Sequence, residues 1–283
     1  MFSNLKFGAI ATIFAAILTM PYARAALVFS TNGPDGRIGT LSRPAGPGLL
    51  ETETADDFLL SQAAIVSSAT FVGLLPTGAS AGSITQVEIE FYHVFPGDST
   101  NPPSGNVPTR TNSPGDVDFK AFSLNAGDIL ITTSLLNASF TVANTVVNGI
   151  NKSPNQFTGG EGEATGGEVQ INVTFNTPFL LGAGQYFFRP EVALTSGNFL
   201  WLSAPKPIVA PGTPFVPDLQ SWIRNSTLSP DWLRIGTDIT QQGPFNETFS
   251  LSGTLVPEPS TELLVGAGLC MVAVLRRKSK TTG

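Results

Sequence analysis

Between residues 169 and 175 every odd position is apolar and every even one polar. Residues 245–255 alternate in the same way, with Glu247 the lone charged residue on the apolar side. From 85 to 95 the odd row is again mostly apolar, and it includes His93. A period of two marks strands that bury one face and wet the other, the habit of antiparallel sheets. Further runs at 27–31, 58–60, 65–75, 129–135, 186–194 and 199–203 fit the same picture, and no part of the core keeps a helical period. The pattern predicts an all-β chain, an antiparallel β-sandwich of jelly-roll type over residues 26–255. The connections 96–118, 144–167 and 204–218 are rich in Gly, Pro, Asn and Ser, and their length is typical of a functional rim. A division into two β domains near 144–167 is the alternative.

Composition agrees with this. Charged residues make up only 13 % of the 283, against 29 Gly, 22 Pro and 20 Phe, a balance that suits a β-rich exported protein. The single cysteine, Cys270, lies near the C-terminus. The predicted β domain therefore has neither a disulfide nor a thiol for catalysis or zinc, and its core alone must hold it.

The two ends read differently from the middle. Residues 1–25 carry one early cation, Lys6, then an apolar stretch from Phe7 to Met20 and the small residues Ala23 and Ala25 around Arg24. This predicts a secretory signal helix cleaved by signal peptidase after Ala25. Near the other end, residues 263–275 are apolar or small and are followed at once by Arg276, Arg277 and Lys278. Such cations hold the end of an apolar helix on the cytoplasmic side. About 13 residues make roughly 20 Å of helix, short of the ~30 Å hydrocarbon core, so the segment suits a transient transmembrane stop.

Directly before that helix stand Val256, Pro257, Glu258 and Pro259. A Pro-Glu-Pro motif, an apolar helix and a basic cluster, in that order, resemble the PEP-CTERM sorting signal of Gram-negative bacteria. The resemblance covers residues 256–283. It implies recognition at the motif by a membrane exosortase, passage through the inner membrane, and delivery to the envelope, the cell surface or an exopolysaccharide matrix. Residues 54–58 (TADDF) and 249–254 (FSLSGT) also resemble the opening and closing strands of β-sandwich domains found before such tails. No activity follows from that second likeness.

Removing the two ends changes the charge balance. Of the 15 Lys and Arg, two lie in the signal and four in the tail; of the 21 Asp and Glu, two lie in the tail. The middle thus carries nine cations against nineteen anions, a net of −10. An acidic domain argues against nucleic acid or anionic lipid as partner.

Few residues offer chemistry. Gly78-Ala79-Ser80-Ala81-Gly82 has the spacing of a nucleophile elbow, but the only histidine, His93, lies 13 residues on and a β-patterned segment follows; a hairpin loop explains the motif better. His93 itself reads as a core or rim residue, since one imidazole without cysteine makes a poor transition-metal site. Asp56, Asp57, Asp116 and Asp118 are candidates for calcium, though their spacing matches no defined loop; otherwise no cofactor is expected. The echo Trp222-Ile-Arg224 and Trp232-Leu-Arg234 predicts a hairpin about Leu228, with Trp222 facing Arg234 and Arg224 facing Trp232. Exposed, those four side chains would be candidate glycan contacts. The expectation is a non-enzymatic, exported surface or matrix protein associated with exopolysaccharide. The alternative is a secreted glycoside hydrolase or lyase using paired carboxylates.

Overall fold

The computed structural model describes residues 26–97, 105–148, 150, 158–205 and 220–256. The signal residues Ala23 and Ala25, the motif residues Pro257, Glu258 and Pro259, and the basic residues Arg276, Arg277 and Lys278 lie outside them. Among the described residues no helix is long and apolar enough to cross a membrane.

In chain order the strands are β1 (Ala26–Ser30), β2 (Ile38–Leu41), β3 (Thr52–Leu60), β4 (Ala64–Pro76), β5 (Ile84–His93), β6 (Lys120–Ser123), β7 (Ile129–Val142), β8 (Asn144–Val146), β9 (Ala164–Leu181), β10 (Gly184–Leu194), β11 (Leu200–Ala204), β12 (Trp222–Asn225), β13 (Leu233–Arg234), β14 (Asn246–Glu247) and β15 (Phe249–Leu255). They form two sheets. The first runs β1-β15-β4-β11-β2-β8, with β14 beside β11, β9 on the other edge of β4, and β7 beyond β9. The second runs β13-β12-β3-β10-β5-β6. All pairings are antiparallel except β2 with β8. The expected all-β, antiparallel character is what the chain adopts.

The period-two patterns explain why the sheets face each other. Ile171, Val173, Phe175, Phe249 and Leu251 are buried on the inner face of the first sheet. They meet Phe58, Val87, Ile89, Phe91 and Phe188 from the second in one core. Phe188 and Phe249 stack across the gap at 4.9 Å between centroids, with rings 13° from parallel. Trp201 meets both edge-on and donates its indole N–H to the Thr248 carbonyl, 2.8 Å away. A Cβ at position 73 would come within 2.0 Å of the Phe199 ring, so glycine there lets Phe199 lie flat on β4 and join this core.

Three connections differ from their sequence reading. The segment 144–167, read as a connection, opens with β8, and its last four residues, from Ala164, already belong to β9. The 245–255 alternation breaks at Thr248, so that β14 pairs with β11 and β15 with β4. The small-residue segment 78–82 is not a hairpin loop. It carries the chain from β4 in the first sheet to β5 in the second, ending in a short 3-10 turn, Ala81–Ser83. Strand, turn and strand give Ser80 no helix to sit on.

Phe249 touches Phe29, Phe58, Phe188 and Trp201. Phe249→Ala is therefore expected to lower unfolding free energy by about 3–5 kcal/mol, read by denaturant titration. An unchanged midpoint would place this ring outside the core.

Candidate functional site

The two outer faces of the structure are opposites. On the second sheet the outward side chains of β3, β5, β10 and β12 include Glu53, Tyr92, Arg189, Trp222 and Arg224. A cover closes over them, made by the residues after β5 and by the β12–β13 hairpin. Arg110, wholly buried, fixes that cover: it donates to Ser113 Oγ (2.8 Å), Asp231 (2.7 Å), the Pro114 carbonyl (2.9 Å) and Asp116 (2.9 Å), and its guanidinium lies 3.8 Å over the Phe95 ring.

Beneath the cover Glu53 bridges two arginines. It accepts from Arg189 at 2.7 Å and from both Nε and Nη2 of Arg224. Arg189 also meets Glu191 at 2.9 Å and Glu90 at 3.3 Å. Arg224 lies over the Trp232 ring, 4.2 Å from its centroid, and Trp232 donates to the Gly115 carbonyl at 3.3 Å. Burial pushes the Arg224 pKa down to about 10 and the Glu191 pKa up to about 8, the latter against the pull of Arg189.

The sequence-predicted residues fall as follows. The hairpin forms in the expected register, with Trp222 opposite Arg234. Its aromatic face, however, is not exposed: Trp222 and Trp232 are both 0 % accessible, and Arg224 is buried with them. Arg234 pairs instead with Asp238 in a wide π-type helical turn, Ile235–Ile239, that follows β13. Three of the four residues expected to form a glycan platform, Trp222, Arg224 and Trp232, are thus sealed in a structural cluster, because the segment after β5 covers them, while Arg234 stays half-buried beside Asp238. Asp56 accepts from Ser221 Oγ and the Glu247 amide, and Asp57 from Gln185 and the Gln220 amide. Burial and the charge of Asp56 raise the pKa of both Asp57 and Glu247 well above the ordinary range. Asp116 is bound by Arg110, and Asp118 is half-buried, near enough to Glu90 and Tyr92 for its charge to help raise their pKa values. Among the described residues no group of three or more His, Cys, Asp or Glu is placed to hold a metal ion. His93 stands exposed at the rim, stacked on Phe119 at 4.0 Å.

The outer face of the first sheet is open over half its area. Leu74, Leu200 and Leu202 on the other half are covered by Phe140 and Val142. On the open half, one rung crosses five strands: Thr132 on β7, Asn172 on β9, Thr70 on β4, Ser250 on β15 and Ser30 on β1. At the usual strand spacing that rung is about 19 Å long. The rungs on either side add Thr174, Ser68 and Ser252, and Ser134 and Gln170. None of these residues is charged, although residues 26–255 carry nine Lys and Arg against nineteen Asp and Glu. The side chains are held by one another: Thr70 and Ser250 hydroxyls are 2.5 Å apart, Gln170 donates to Asn172 at 2.6 Å, and Asn172 lies 3.4 Å from Thr132. Where the open half meets the covered one there is a groove of about 290 Å³. Thr70, Thr248 and Ser250 contribute to it, with Leu136 and the Asn32-Gly33-Pro34 turn.

Sequence reading missed this face, because each strand contributes only two or three ordinary polar residues. Its one signal was the run of Ser, Thr, Asn and Gln at the even positions of 169–175 and 249–255. No family model, no curated protein and no solved structure matches the chain significantly.

The buried Glu191 makes stability depend on pH. A carboxyl whose folded pKa is raised from about 4.5 to about 8 keeps its proton longer in the folded state. The unfolded chain then ionises first, so the contribution is fully present below the unfolded value and is lost as pH rises toward the folded one. Glu191→Gln removes that loss. At about pH 8 its thermal midpoint should exceed the wild type by at least ~2–4 °C, with the difference gone by about pH 4. Equal midpoints across the range would show that Glu191 ionises freely.

Proposed function

We propose that this is an exported β-sandwich of jelly-roll type, sorted to the cell envelope or extracellular matrix through its C-terminal signal, where it binds neutral exopolysaccharide without turning it over. The route rests on the resemblance of residues 256–283 to PEP-CTERM tails, together with the N-terminal signal. It is supported by where β15 ends. Val256 makes the last described hydrogen bond of the chain, from its amide to the Ala63 carbonyl at 2.8 Å, and the Pro-Glu-Pro motif follows at once. A protease reading that motif would meet it immediately outside the last strand.

The observation that carries the binding half is the uncharged rung from Thr132 to Ser30. Sugars present hydroxyl donors and acceptors with small apolar faces between them. Hydroxyls and amides fixed on a flat sheet can meet the former, and Leu130 and Leu136 at its margin the latter. The absence of charge on the open rungs, within an acidic domain, selects against polyanions and leaves no reward for polycations. Paired carboxylates are no rival on the open rungs, which carry none; Glu168, the next residue of β9 on this face, is buried opposite Leu74.

Two experiments test the two halves. For binding, the purified protein is passed over the polysaccharide of its own cells. Thr70→Glu with Asn172→Asp, both on half-exposed positions, should cut retention about tenfold or more at an unchanged thermal midpoint, since removing one hydrogen bond to a glycan costs roughly 0.5–1.5 kcal/mol. Unchanged retention would exclude the face, and release of new sugar ends would exclude the non-enzymatic reading. For sorting, replacing Pro257, Glu258 and Pro259 by alanine should leave a membrane-retained form whose mass includes residues 263–283. A mature form that still lacks them would show that the motif is not the signal.

A further inference from the structure

Edge strands are the exposed backbone of a sheet, and most proteins keep them short, charged or covered. In this chain the edge strands β1, β6, β8 and β13 are two to five residues long. The exception is β7, with fourteen residues. Among the described residues it pairs only with β9, so its other edge has no strand beside it. Its sequence, ILITTSLLNASFTV, contains no charge and no proline. Three of its leucines are large and exposed: Leu130 (61 %), Leu135 (64 %) and Leu136 (50 %).

We propose that two copies of the chain pair through this edge, β7 against β7 in antiparallel register about a twofold axis at Thr133. The order of residues around Thr133 supports the second copy as occupant. About that centre Thr132 meets Ser134 of the other copy, Ile131 meets Leu135, and Leu130 meets Leu136. Over these three steps hydroxyl lies opposite hydroxyl and aliphatic opposite aliphatic; the next step out sets Ile129 against Asn137. Moving the centre by one residue to Thr132 sets Leu130 against Ser134 and Ile131 against Thr133, which breaks the match.

Charge favours the same edge. Two domains of net −10 repel over most of their surfaces, and a β7 contact brings together uncharged strands. Pairing would join two nine-stranded first sheets into one and bury the three exposed leucines of each copy. The contact is isologous and consumes the one long edge, so assembly stops at two copies. The inference stands independently of glycan binding.

Sedimentation equilibrium of the purified protein at micromolar concentration tests it. A mass twice that of the chain is expected, and a monomer throughout would overturn the proposal, as would a series of larger species. Charge-pair variants then test the register. With Thr132→Lys and Ser134→Lys, lysine faces lysine twice across the axis, and dissociation should become at least about tenfold easier. With Thr132→Lys and Ser134→Glu, each lysine faces a glutamate, and the dimer should return. All four substituted positions of a dimer are exposed on β7, so the thermal midpoint of the monomer serves as the folding control. If both variants dimerise alike, or neither does while remaining folded, this pairing is wrong.

Discussion

Glu53, shared by Arg189 and Arg224 on the outer face of the second sheet, is the contact on which the layout of the molecule turns. Taking two guanidiniums out of water is costly and is tolerated only when each charge is closely matched. Glu53 supplies that match between β3, β10 and β12 at once. The cover then follows: the Arg224 guanidinium donates to the carbonyls of Asp116 and Pro230, and Arg110 ties the same segment to Asp231. With that face sealed, β3, β10 and β12 are largely buried on both sides. The open half of the first sheet is left as the broad, regular surface available to a large ligand.

Burial on both sides also explains the carboxyl groups. Glu191, Asp57 and Glu247 have raised pKa values chiefly because they are out of water, and Glu90 is raised for the same reason despite Arg189. Raised carboxyl pKa values often mark catalytic acids. Here the most perturbed groups are enclosed, and the groove on the first sheet has none of them. Their arrangement fits the locking of strands and cover better than chemistry on a polymer.

The alternating segments were legible because period two maps directly onto faces: the odd residues of 169–175 are inside, as are Phe249 and Leu251. The W-I-R and W-L-R echo was legible as a hairpin for the same reason. Its burial was not, because what covers it is a segment far away in the chain whose Gly, Pro and Asn content reads only as loop. Glu247 was the one visible hint of an interior polar cluster, a charge where the pattern called for an apolar residue. The uncharged rung could not be seen at all, since it exists only once β1, β4, β7, β9 and β15 are side by side. The tail needs no such assembly. Its three parts are contiguous, so the sequence suggests a route more directly than it suggests an activity.

The central proposal is that the uncharged rungs on the open half of the first sheet are where the protein meets its glycan. Backbone amide NMR of labelled protein, titrated with neutral fragments of the polysaccharide from its own cells, tests this most directly. Shifts concentrated at Thr70, Thr132, Gln170, Asn172 and Ser250, with the amides around Tyr92, Arg224 and Trp232 unmoved, are the expected result. Shifts centred on the covered face of the second sheet, or none on either face, would contradict it.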